Sequence, residues 1–156
     1  MSDNSIVPKL TIQNVFVREF EQSIAEDFQP ALDNIEMLAQ HKRGFGDGCI
    51  VNIAESEDED TFVIYRFKYD CGVRFVLANT VEDDSPKVLY EIEATFVADY
   101  SSSENIEDKE AINDFGHRYV GYHVWPYWRE FVQSSLQRSG LPTIVIPQYR
   151  VPNKPH

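Results

Sequence analysis

Basic residues are scarce in this 156-residue chain, where 14 Lys and Arg stand against 26 Asp and Glu for a net charge of −12. Affinity for nucleic acid comes from cations that neutralise phosphates and release counterions. The balance therefore argues against nucleic acid and for partners that are themselves basic. Cysteine is sparse too. Cys49 and Cys71 form no CxxC and have no His at ligand spacing, so they read as reduced packing residues. Apolar runs last only a few residues, and Met1 to Leu10 lacks a basic region followed by an apolar stretch. No membrane insertion and no export signal are expected, which predicts a cytoplasmic protein.

Signatures of catalysis are missing as well: there is no GxSxG, Walker A or GxGxxG. Gly44-Phe45-Gly46-Asp47-Gly48 has neither the lysine nor the helix context of a phosphate loop and reads as a flexible turn. His117 and His123 are six positions apart, off one helix face, so no metal and no cofactor are expected. Glu91 and Glu93 could form a carboxylate pair, but Arg66, Lys68 and Arg74 offer them ion pairing instead. The sequence predicts a binder, not an enzyme. The alternative is a small-molecule-binding α+β domain or an enzyme with an aromatic pocket.

What the chain does have is apolar content of 42 % and aromatic content of 13 %, enough for one domain with a real core. Alternation marks strands, since successive side chains point to opposite faces. Odd positions from Val63 to Leu77 are apolar against Arg66, Lys68, Asp70 and Arg74, with Gly72 expected at a bend or bulge. Even positions from Val88 to Tyr100 are apolar against Glu91, Glu93, Thr95 and Asp99. Paired as a hairpin, these strands would set Arg66, Lys68 or Arg74 against Glu91 or Glu93. Leu10 to Phe20 reads as a strand with Leu10, Ile12, Phe16 and Phe20 on one face and Val15, Val17 and Glu19 on the other. Cys49 to Ala54 reads as a short strand. Glu26 to Asp47 is the least regular stretch, able to hold a strand, a helical turn near Ile35 to Gln40, or both.

After Ser103 the period changes. Val120, Val124, Trp128, Phe131, Val132 and Leu136 fall at helical spacing, predicting a helix from about Asn113 to Arg138. Pro126 would kink it, or else stand in its first turn, while Gly140 and Pro142 end it. One helix, about 10 Å across, is too narrow for a four-stranded sheet about 15 Å wide. Phe115, Tyr119 and Tyr122 add a second apolar stripe to that helix. Some apolar surface must therefore be covered by Glu26 to Asp47, a second subunit, a ligand or a client.

Trp125 to Pro147, WPYWREFVQSSLQRSGLPTIVIP, resembles the end of the long helix and the following loop of SecB chaperones. The matching elements are Pro126-Tyr127, Arg129-Glu130, Arg138-Ser139-Gly140, and Leu141-Pro142 through Ile146-Pro147. Asp27-Phe28-Gln29-Pro30 is similar to the aromatic-Gln-Pro element after that family's first strand, and Ile12-Gln13 with Val15-Phe16 to the strand itself. The similarity spans residues 10 to 150 as a single domain, with residues 1–9 and 151–156 expected to be flexible ends. It implies an α+β fold in which a four-stranded antiparallel sheet packs with one long kinked helix, assembled as a dimer of dimers. It also implies an ATP-independent holdase for extended non-native polypeptides.

By the same resemblance, client-binding positions are Phe28, Pro30, Tyr127, Leu141, Ile144, Val145, Ile146 and Tyr149. Tyr119, Tyr122, Trp125 and Trp128 fall in the homotetramer interface. Glu19 and Glu91 map to the acidic face that docks the export motor ATPase. Ser23 stands where that face carries another acid, and the sequence ends at His156, before the family's last helix and acidic tail. The clients implied are therefore preproteins or, as in divergent relatives, one antitoxin.

Overall fold

The computed structural model describes residues 6–30, 34–55 and 61–150. Most of the expected loose ends, residues 1–5 and 151–156, lie outside the described residues. Ile6, however, is buried, and Val7–Lys9 form a 3-10 turn. The two strongly alternating segments form β3 (Thr61–Leu77) and β4 (Val88–Ser102), paired antiparallel. Odd residues of β3 from Val63 to Phe75 and even residues of β4 from Tyr90 to Tyr100 are buried together. β1 (Thr11–Ile24) flanks β4 and β2 (Met37–Glu55) flanks β3, giving the antiparallel order β1-β4-β3-β2.

The edge strands depart from the expectations. The register of β1 against β4 slips between Ile12 and Asn14 and again between Val17 and Glu19. Each bulge inserts one residue and reverses the parity that follows. Ile12, Val15, Val17 and Phe20 consequently oppose inward residues of β4, while Phe16 faces Val97 on the outer side. There the Arg66 guanidinium lies 5.4 Å from the Phe16 ring. The irregular Glu26 to Asp47 stretch and the short strand after it form largely one 19-residue strand, β2, with no helical turn at Ile35 to Gln40. The glycine run is not a turn but a bulge within it: register shifts between Gly46 and Ile50, and Gly48 takes φ +104°.

Gly72 makes no bulge, since both ladders run through it unbroken. A Cβ there would lie 2.7 Å from Lys42 Cε, so the glycine leaves room for that side chain to pass. The β3–β4 register sets Arg74 opposite Glu91, one of the expected cross-strand pairs, while the closest side-chain partners are others. Arg66 meets Asp99, Lys42 of β2 meets Glu93, and Arg74 donates to Gln40 at 2.7 Å.

The inner face carries one continuous helix in three parts: α1 (Lys109–Phe115), a π-helical turn (Gly116–Val120) and α2 (Gly121–Arg138). It starts four residues earlier than expected because Asp108 caps it, accepting from Ala111 N at 3.0 Å. Pro126 lies inside α2, not at a start, where it withholds the N–H that Tyr122 O would accept. Gly140, at φ +69°, ends the helix as expected. Gly140 N bonds Gln137 O and Leu141 N bonds Leu136 O, a Schellman closure with both leucines buried. Trp128 fills the centre, edge-on to Phe96 and stacked beside Phe131.

Candidate polypeptide-binding surface

Past Gly140 the chain reverses along α2 without regular structure and adds Leu141 and Ile146 to the core, to which Phe28 of the Glu26 to Asp47 stretch also belongs. Trp125 Nε1 donates to Pro147 O at 2.7 Å. Tyr149 packs beside Trp125 and Tyr122, with ring centroids 5.6 and 6.4 Å away. Arg43, projecting from β2, sets its guanidinium 4.3 Å from the Tyr149 ring and 5.4 Å from Trp125, and donates to Arg150 O at 2.9 Å. Gly121 makes the seat possible: a Cβ there would lie 2.6 Å from Tyr149 Oη and 2.7 Å from Tyr69 Cζ. Burial raises the proton affinity of the Tyr69 phenol, so that group stays neutral beside the Arg43 cation.

The expected client-binding residues divide by exposure. Phe28, Leu141 and Ile146 are buried within the protomer, so in this state they shape the surface from beneath. Pro30, Ile144 and Tyr149 are half-buried. Tyr127 at 50 % and Val145 at 78 % face solvent. Of the expected interface residues, Tyr122 is 57 % exposed and Tyr119 half-buried, whereas Trp128 is enclosed and Trp125 nearly so. Trp128 has no surface to offer a partner because the sheet and Phe131 surround it. Two participants escaped the sequence reading. Phe20, on the face expected for it beside Ile12, leaves 59 % of its surface in water while touching Phe131 edge-on. Arg43 was hidden because β2 was not read as a strand there.

The outer face is different in kind. Glu19, Glu21, Asp70, Glu93 and Lys42 line an open hollow of about 610 Å³ crossing all four strands. Glu91 lies on the same face, opposite Ser23 and Arg74, in an adjoining hollow that shares Lys42 and Glu93. Bonding to Glu93 raises the proton affinity of Lys42, which keeps it cationic. The aromatic residues that the alternative reading places around a pocket instead pack ring to ring, as Phe67, Tyr100 and Phe115 do. Cys71 is buried, and burial pushes the Cys49 thiol up to about 12, so both are protonated near neutral pH. Among the described residues no group of three His, Cys, Asp or Glu could hold a metal, and no helix is long and apolar enough to cross a membrane.

No family model and no curated protein matches this sequence. Among solved structures, the Mycobacterium tuberculosis Rv1957 SecB-like chaperone, determined in complex with a ChAD peptide from the Rv1956 HigA1 antitoxin, is similar at a TM-score of 0.65. The match covers 95 % of this chain and 96 % of that one at 14 % sequence identity. With its single antiparallel sheet, its long helix and the returning segment beyond it, this chain is a divergent representative of the SecB-like fold.

Proposed function

We propose that this protein is an ATP-independent holdase that grips extended, non-native polypeptide on its helix-bearing side. The observation that carries the reading is the exposure there of Phe20, Tyr127 and Val145, each half or more in water. Large apolar side chains held at the surface in one region mark an interaction site. Aromatic rings give broad contact area at small rotamer cost without requiring one client sequence. An antitoxin segment is the favoured client, because the SecB-like chaperone of similar fold was solved with an antitoxin peptide. We place the protein in the cytoplasm as a homotetramer whose seam includes Tyr119 and Tyr122.

A second reading, preprotein transfer to the export motor ATPase, is supported by Glu19 and Glu91, which share the outer face. The test is aggregation of a denatured protein at stoichiometric ratio. Suppression that weakens in Tyr127→Ala supports the proposal, and no suppression by the folded protein refutes it. Co-purification with an antitoxin or with the motor separates the two client classes.

A further inference from the structure

Residues 144–150 are held in the manner of a bound peptide and not of a structural element. Beyond Leu141, no backbone-to-backbone hydrogen bond is made by this segment among the described residues. Its polar anchors are two side-chain donors, Trp125 and Arg43, aimed at the carbonyls of Pro147 and Arg150. Carbonyls are what any extended chain offers, so this pair would hold a peptide of any sequence. Selection comes chiefly from Ile146 in the core and Tyr149 in the seat formed by Gly121, Tyr69, Trp125 and Arg43, with Ile144 packed half-buried against the core before them.

Resting on the function proposed above, we infer that this segment is an internal client, occupying the protein's own polypeptide groove until a segment of like chemistry displaces it. That chemistry is a branched aliphatic residue followed three positions later by an aromatic one, in an extended stretch free of acidic residues. The aromatic is specified because the Arg43 guanidinium lies over the ring, an attraction that an aliphatic side chain cannot supply. Phenylalanine offers the guanidinium the same kind of ring as tyrosine does, and the Tyr peptide adds only the contact of Tyr149 Oη with the neighbouring Tyr69 phenol. The absence of acids follows from charge: residues 139–156 contain no Asp or Glu in a chain of net charge −12. A client with carboxylates would meet an acidic host.

The experiment uses the full chain and fluorescein-labelled peptides with the sequence of residues 141–150, carrying Tyr, Phe or Ser at the position of Tyr149. Anisotropy titrations compare the wild-type protein with Tyr149→Ala, whose seat is vacant. A groove that is mostly self-occupied weakens apparent affinity by its vacant fraction, so the variant is expected to bind each peptide about tenfold tighter than the wild type does, with the Ser peptide the weakest of the three in both proteins. Equal affinity of both proteins for the Tyr peptide, or equal binding of the Tyr and Ser peptides, overturns the inference.

A second measurement needs no vacant seat. A fluorophore on Val145→Cys, at an exposed position, should lose anisotropy when unlabelled Phe peptide binds. Peptide binding without that loss also overturns displacement. If aggregation is suppressed while the segment stays in place, the holdase reading stands and the internal client falls. If neither suppression nor peptide binding occurs, the holdase reading falls and the internal client with it.

Discussion

Lys42 of β2 reaches Glu93 of β4 by crossing the strand between them, directly over Gly72 of β3. The three residues are register partners, and the missing Cβ of the middle one is the passage. Glu93 also stands opposite Glu21 on β1, so Lys42 offsets a like-charge contact. Gly72→Ala should push Lys42 aside and cost about 1 kcal/mol or less, because the pair is largely exposed. The loss should shrink as salt screens the remaining carboxylates. Urea unfolding at low and high salt checks this; a salt-independent loss would point to backbone effects.

Arg66 and Asp99 form a two-point pair, at 2.8 and 2.9 Å, with the carboxylate nearly buried. Asp99→Ala should destabilise by about 2–3 kcal/mol, short of the 3–5 kcal/mol of fully buried pairs because the Arg66 side chain remains 32 % exposed. Replacing both residues by apolar ones should recover much of that loss, since no unpaired charge is then left behind. Denaturation midpoints of the single and double variants decide it.

How much of this was legible in the sequence depends on strand position. β3 and β4 lie at the sheet's centre, where one face is buried along the whole length, and their alternation is plain from Val63 to Phe75 and from Tyr90 to Tyr100. β1 was found, with Ile12 and Phe20 on one face as expected, but Val15, Phe16 and Val17 between them were misread, because bulges at Gln13 and Arg18 leave no mark in a pattern of period two. β2 was missed over half its length. Its His41-Lys42-Arg43 stretch and the glycines after it look like loop, yet Arg43 turns inward and Phe45 packs on Phe67. Gly116 belongs to the same contact: a Cβ there would lie 2.2 Å from the Phe45 ring. The helix stop at Gly140 was legible because only the backbone conformation was at issue. The seat for Tyr149 was not, since it joins residues from β2, β3, α2 and the returning segment.

Trp128 and Tyr127 are neighbours with opposite duties. Trp128→Ala should cost about 3–5 kcal/mol by emptying the core. Tyr127→Ala should leave stability within about 0.5 kcal/mol, as exposed substitutions do, and weaken client binding. Thermal melts read beside aggregation assays check the contrast. A Tyr127→Ala protein with full activity would remove that residue from the binding surface.

Acid should weaken the fold through His123. Its Nδ1 lies 2.7 Å from Tyr100 Oη, and burial lowers its pKa below the ordinary 6.5. Well above pH 6.5 both folded and unfolded forms are neutral and the stability is fully present. As the pH falls from there through the lowered folded value, the unfolded chain takes up a proton that the folded chain resists, and stability is lost. His41, also lowered by burial, adds to the slope. His123→Asn should flatten the fall between pH 7.5 and about 5 without abolishing it; an unchanged slope in urea unfolding would refute this.

The order β1-β4-β3-β2 places the last strand between the first and the third. β2, β3 and β4 can zip together as successive neighbours, but β1 has no partner until β4 exists, and Gln13 must find Ser101 across 88 positions. Long-range closures of this kind come late and leave apolar surface open while they are awaited. During synthesis Val15, Val17 and Phe20 therefore wait without the strand that covers them. For that interval the protein is itself an extended apolar segment in need of holding, the very class of client that its finished surface would take.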